Sequence, residues 1–189
     1  MRVRGMLAAV TTLALAACAT VDPPTTQEQF MANLATFCGK SLEGRLANGD
    51  ASDSDFASSR LVMGPVRCEE AAISVPFAVG ENRSRTWVIT RTEAGLRLKH
   101  VHRHADGHED TVSRYGGDTA APGTATRQEF PVDQFSRDLF MANKLERSVT
   151  NVWALEAVPG KLFAYELRRA NRFFRVEFDA SQARPTPAK

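Results

Sequence analysis

From residue 73 onward the chain alternates. Ile73, Val75, Phe77 and Val79 share one side of an extended segment. Trp87 to Thr92 form another, bounded by Glu93-Ala94-Gly95. Period-two alternation marks strands with one buried face. The pattern is sharpest near the end. A two-residue turn at Ala170-Asn171 sets Leu167 opposite Phe174, Tyr165 opposite Val176 and Phe163 opposite Phe178, with Glu166 opposite Arg175 on the other face. One face is wholly apolar and the other carries opposed charges, so a slip of one residue would set core groups against charges. Trp153 and Leu155 extend the apolar face if the loop at Pro159-Gly160 has an odd number of residues.

Elsewhere the period changes to that of a helix. Phe30, Leu34 and Phe37 recur at helical spacing behind Thr25 and Thr26, with Glu28 and Gln29 placed for a capping box and Gly39 placed to end the helix. This predicts a helix from about 27 to 38. Phe135, Leu139 and Ala142 predict a second, from about 133 to 144. Turn residues recur at Asn48, Glu93, Asp106 and Pro159, Tyr115 to Thr126 reads as a loop by composition, and 181–189 reads as a disordered tail. No repeat or linker divides 27–180, which is expected to be a single β-rich domain. Eight to ten strands and two helices predict a mainly β fold, a single antiparallel meander barrel whose closure removes exposed edges. A β-sandwich is the alternative. A helix followed by a long meander resembles the lipocalin-like (calycin) barrels, although Phe37 to Gly44, where those barrels carry Gly-x-Trp, holds no tryptophan.

The N-terminus changes the picture from fold to compartment. Arg2 and Arg4 precede an apolar run, Met6 to Ala17, that is too short to span a bilayer comfortably and has the layout of a secretory signal. It closes on Leu15-Ala16-Ala17-Cys18, which resembles the lipobox of bacterial lipoproteins. The resemblance implies cleavage of 1–17, a diacylglycerol-bearing Cys18, a lipidated tether over 18–26 and a membrane partner through that anchor. With Ala19 after the cysteine it also implies the outer membrane, facing the periplasm. Removing Arg2 and Arg4 leaves 22 basic and 22 acidic residues, which argues against a broad nucleic-acid surface. Cys38 and Cys68 then remain as an even pair in an oxidising compartment and are expected to form a disulfide.

All four histidines, His100, His102, His104 and His108, fall in Lys99 to Asp110. Alternation puts His100, His102 and His104 on the face begun by Leu96 and Leu98, so they are expected to point inward. Two registers are open for the return strand. A two-residue turn at Asp106-Gly107 pairs Arg103 with Asp110, His102 with Thr111, His100 with Ser113 and Leu98 with Tyr115. A three-residue loop, Ala105 to Gly107, pairs His104 with His108 and His102 with Asp110. The first is preferred because it keeps Arg103 and Asp110 together on the wet face. It gives a small-ligand cavity walled by His100, His102, Thr111, Ser113 and Tyr115.

The rival reading is a transition-metal site in an enzyme or carrier, because His-x-His on a strand places imidazoles about 6–7 Å apart at Cα. Its ligands would be His100, His102 and Asp110. A structural envelope protein without a ligand is the third reading. Ser58 and Ser59 lack a Gly-x-Ser-x-Gly context, and no glycine loop of phosphate-binding type follows a strand. No catalytic residue is therefore assigned, no cofactor is expected and a non-enzymatic role is favoured. The stretches Leu98 to Thr119, Thr126 to Asp133 and Leu162 to Phe178 also resemble a family of uncharacterised proteobacterial secreted proteins and lipoproteins with a Lys-His-x-His-Arg-His-x-Asp-Gly core. That resemblance implies the same compartment and a single domain, and no catalytic residue.

Overall fold

The computed structural model describes residues 22–182 together with 184 and 185; the segment 1–17 expected to be a signal, and Cys18, the expected lipidation site, lie outside the described residues. The chain forms a mainly β, nearly closed antiparallel barrel, as expected. The strands are β1 (Lys40–Asn48), β2 (Leu61–Met63), β3 (Arg67–Cys68), β4 (Ala72–Val79), β5 (Asn82–Thr92), β6 (Gly95–His102), β7 (Tyr115–Asp118), β8 (Arg127–Pro131), β9 (Val152–Val158), β10 (Leu162–Arg169), β11 (Arg172–Asp179) and β12 (Arg184–Pro185). Ten of them run in the order β7-β6-β5-β4-β2-β1-β11-β10-β9-β8, while β3 pairs with β4 and β12 with β1. The last pairing takes up part of the tail expected to be disordered.

The ladder does not close by strand pairing between β7 and β8. Helix α3 (Gln134–Ala142) pins that seam instead. Its Ser136 hydroxyl accepts from the Gly116 amide at 2.7 Å and donates to the Gly116 carbonyl at 3.1 Å, while the Asp133 amide donates to the same carbonyl at 2.9 Å. Glycines permit this approach. A β-carbon at Gly116 would collide with the Leu98 carbonyl, and one at Gly117 with that of Pro131. This corrects the loop expected over 115–126, of which Tyr115–Asp118 is strand β7.

Helix α1 (Thr26–Ala35) starts at the expected capping box, with the Thr25 amide donating to Glu28 Oε2 at 2.7 Å and the Glu28 amide to Thr25 Oγ1 at 3.2 Å. It ends about a turn earlier than its apolar spacing suggested. Phe30, Met31 and Leu34 are buried, and α1 packs on β8 and β9 beside the β5–β6 turn, where Gln27 Nε2 donates to Thr119 Oγ1 at 2.9 Å. Beyond it Cys38 bridges to Val66, and Cys38–Cys68 is a disulfide with Cα atoms 5.8 Å apart. A third helix, α2 (Ser54–Ser58), was not expected from the sequence; it is one short amphipathic turn whose Phe56 reaches the barrel interior.

The β10–β11 register is the predicted one at every pair named, and the Pro159-Gly160-Lys161 loop is odd, so Trp153 sits opposite Leu167 and Leu155 opposite Tyr165. Phe163, Phe178, Leu155, Leu98 and Ile89 fill the barrel towards α1. On the outer face the opposed charges extend into a ladder. Arg175 meets Glu156, Glu166 and Glu177, and Arg127 joins Glu166 to Glu129. The ladder shields Glu166 from solvent.

Candidate functional site

The end of the barrel away from α1 is built differently. β4, β5, β6, β10 and β11 all turn or terminate there, and their inward positions change from wholly apolar to a mixture of aromatic and polar groups. A cavity of about 280 Å³ lies at this end, among Arg85, Trp87, His100, His102, Tyr115, Trp153, Tyr165 and Arg169. Its mouth is flanked by Phe56 of α2 on one side. On the other stand Phe140 of α3 and Leu145 and Ser148 from the turn that follows.

His100 is fixed at the inner wall. It is only 3% exposed and stacks on the Tyr115 ring at 4.6 Å between centroids. Nδ1 lies 3.2 Å from the Tyr115 carbonyl and Nε2 lies 2.9 Å from the Tyr165 hydroxyl. A neutral imidazole satisfies both contacts, with Nδ1–H donating to the carbonyl and Nε2 accepting from the phenol. Burial disfavours the cation and brings the pKa of His100 down to about 3. His102, one repeat nearer the mouth, is hydrogen-bonded through Nε2 to the Tyr115 hydroxyl at 3.0 Å. Burial lowers its pKa, the charge of Arg85 lowers it further, and Asp110 opposes both. Burial also pushes the Tyr115 phenol up to about 12, and Tyr165 well above its ordinary value. These two histidines and two tyrosines are therefore uncharged at neutral pH while offering hydrogen bonds.

The preferred hairpin register is corrected. Arg103 bridges to Glu109, the His104 amide donates to the His108 carbonyl at 2.8 Å and the Asp110 amide to the His102 carbonyl at 3.0 Å. This is the three-residue loop. Residues 111–114 then bulge out, and pairing resumes with His100 opposite Tyr115 and Leu98 opposite Gly117. The bulge separates the expected site residues. His100, His102 and Tyr115 line the cavity. Thr111 is exposed and turned away. Ser113 is buried but structural, its hydroxyl accepting from the His102 amide at 3.0 Å. His104 and His108 do not face inward: their side chains are 60% and 84% exposed at the hairpin tip, beside Asp110 and Asp106 respectively.

The metal set is not brought together. Both ring nitrogens of His100 are engaged, and the Asp110 carboxylate accepts from the Val112 amide at 2.8 Å and faces His104. Among the described residues no three His, Cys, Asp or Glu side chains converge on one point.

The arginines were missed. Arg85, Arg169 and Arg172 all line the cavity, against one carboxylate, Asp53. Parity could have found them, since Arg85 precedes Trp87 by two positions, Arg169 follows Leu167 by two and Arg172 precedes Phe174 by two. Arg172 is neutralised by a bidentate pair with buried Asp53, at 2.5 and 2.6 Å, and by Asp50 at 2.6 Å. Arg169 donates to Asn151 Oδ1 at 3.0 Å; burial lowers its pKa, as do Arg172 and Arg147. Arg85 lies over the Phe56 ring at 5.6 Å, and its Nη1 is buried with no hydrogen-bond partner among the described residues.

No family model matches the chain, and no curated protein or solved structure does either. The chemistry of the site rests on its own residues: a rigid aromatic wall, neutral hydrogen-bonding groups and unevenly compensated cations.

Proposed function

We propose that the protein is a bacterial envelope lipoprotein that binds a small ligand in the polar end of its barrel. The observation that carries the binding reading is the cavity itself. Its volume, about 280 Å³, lies at the lower edge of the range for small-molecule sites, roughly 300–1,000 Å³. Its wall combines aromatic faces with a few fixed polar groups, as such sites do. Those groups are held by contacts within the fold, Tyr165 to His100 and Tyr115 to His102. A prearranged wall lowers the ordering cost of binding.

The compartment reading is supported by the signal-like segment, by Leu15-Ala16-Ala17-Cys18 and by the disulfide, which fits an oxidising environment. Mass spectrometry of the native protein is expected to find an acylated Cys18 at its N-terminus. A chain cleaved elsewhere without lipid would contradict the anchor.

Binding is tested by a thermal-shift screen against a small-molecule library. Compounds that raise the melting temperature are expected, and their effect should disappear in Leu145→Trp, which fills the cavity from a wall position that is 39% exposed. A library without any stabilising compound, or stabilisation that survives this substitution, would overturn the reading.

A further inference from the structure

Arg85 is out of place by the ordinary rules of a barrel interior. It projects from β5 on the same face as Trp87 and Ile89, both buried, and it stands opposite Phe77 on β4 and His102 on β6. Arg85 is half-buried, and a guanidinium drawn partly out of water is ordinarily paired with a carboxylate, because a low dielectric penalises an uncompensated charge. Arg172, in the lining of the same cavity, follows that rule with Asp53 and Asp50. Arg85 does not: among the described residues it forms no ion pair, and Nη1 has no acceptor. The carboxylates of the adjoining hairpin, Asp106, Glu109 and Asp110, are turned to His108, to Arg103 and Arg114, and to His104 respectively. Arg169 adds a second cation to the lining, and among the described residues its side chain has the Asn151 amide oxygen as partner and forms no ion pair. The remaining polar groups of the wall, His100, His102, Tyr115 and Tyr165, are neutral.

We infer that the cavity takes an amphipathic organic anion, with Arg85 meeting a carboxylate or phosphate monoester head and the Trp87, Trp153 and Tyr115 rings meeting a compact apolar body. This rests on the binding reading above and names the class of its ligand. The chemistry is complementary on three counts. The head supplies the acceptor that Nη1 lacks. Its negative charge offsets the excess of arginine over carboxylate in the lining. The volume limits the body to about one or two rings or a short chain. A guanidinium matches carboxylate and phosphate equally well in geometry, so both heads belong to one class here.

The test uses matched pairs. 3-Phenylpropionate, 2-naphthoate and octanoate are each compared with the corresponding primary amide by calorimetry on the full-length chain, with phenyl phosphate alongside to separate the two heads. At least one anion is expected to bind tenfold or more tightly than its amide. That preference should vanish in Arg85→Met and survive in part in Arg85→Lys. A second readout separates recognition from a structural role. Because Arg85 is uncompensated in the free protein, Arg85→Met should melt at the same temperature as the wild type or higher, whereas a residue needed for the fold would lower it.

The failures are distinct. Amides that bind as tightly as their anions would overturn the anion inference and leave the binding reading standing. So would an anion preference that persists in Arg85→Met, or a lowered melting temperature of that variant with unchanged discrimination, in which case Arg85 serves the fold through Phe56. If no member of any pair binds at millimolar concentration, both the inference and the binding reading fall.

Discussion

The two ends of this barrel obey different rules. Towards α1 the interior is aliphatic and aromatic, filled by Leu98, Leu155, Phe163 and Phe178, roofed by Phe30 and Leu34 and stapled by Cys38–Cys68. Towards the β4–β5 and β10–β11 turns the same strands present Arg85, His102, Arg169 and Arg172, and close packing gives way to a cavity. No domain boundary separates the two, since a single strand such as β5 runs from Arg85 at one end through Trp87 and Ile89 to the other. The difference teaches that burial and polar chemistry are divided along each strand: one half supplies burial, and the other carries polar groups whose desolvation that burial offsets.

Substitutions at the two ends can break this comparison. The largest effect is expected at the filled end. Phe163→Ala, which removes a fully buried ring packed against Phe37, Trp87 and Phe178, should cost about 3–5 kcal/mol in urea unfolding. A loss below about 1 kcal/mol would show that this end is not the stabilising half. Next comes the staple: the cysteines are 30 residues apart, so replacing both Cys38 and Cys68 by serine should cost about 3–4 kcal/mol on the chain-entropy account. Unfolding curves that coincide for oxidised and reduced wild type would refute it.

The third effect is pH-dependent and belongs to the polar end. His100 takes up a proton near 6.5 in the unfolded chain but only at about 3 in the folded one. Between those values the unfolded state holds more protons. Its contribution is therefore complete above about 6.5 and is lost as pH falls towards 3, at up to about 1.4 kcal/mol per pH unit. The difference in slope between wild type and His100→Phe, measured from pH 7 to 5, isolates it from carboxylates that titrate lower. Parallel stability curves would place a charged or solvated imidazole there. The smallest effect is Tyr165→Phe, which removes the hydroxyl donated to His100 Nε2 and should cost about 1 kcal/mol; no measurable change would mean that the bond is not formed in solution.

How much of this was legible in the sequence follows from two hairpins. In β10–β11 the inward positions Phe163, Tyr165, Leu167, Phe174, Val176 and Phe178 are aromatic or aliphatic until Arg169 and Arg172 flank the turn, and Glu166 faces Arg175 on the other side. A slip would bury charges, so the pattern alone specifies the register that the structure shows. In β6–β7 both faces near the tip carry histidines, hydroxyls and acids. No register there exposes a core residue, so only the turn residues and the pairing of Arg103 with Asp110 on the wet face favour a turn at Asp106-Gly107. The chain instead makes a longer loop with Arg103 opposite Glu109, and absorbs the mismatch at Arg114, whose φ is 61°. Thr111 and Ser113 were lost from the expected wall for that reason. The arginines are hidden for a different reason: a charged residue interrupts the apolar alternation that marks an inward row, although Arg85 continues the row of Trp87. The pairing of Cys38 with Cys68, by contrast, needed only their number and the expected compartment.

The division between the ends is tested most directly by residue-resolved NMR during titration with 3-phenylpropionate. The account predicts shifts confined to the polar end, at Arg85, Trp87, His102, Tyr115, Phe140, Trp153 and Leu167, with Leu98, Leu155, Phe163 and α1 unmoved. Shifts centred on α1 and the filled end, or no shift at any residue at millimolar ligand, would contradict it.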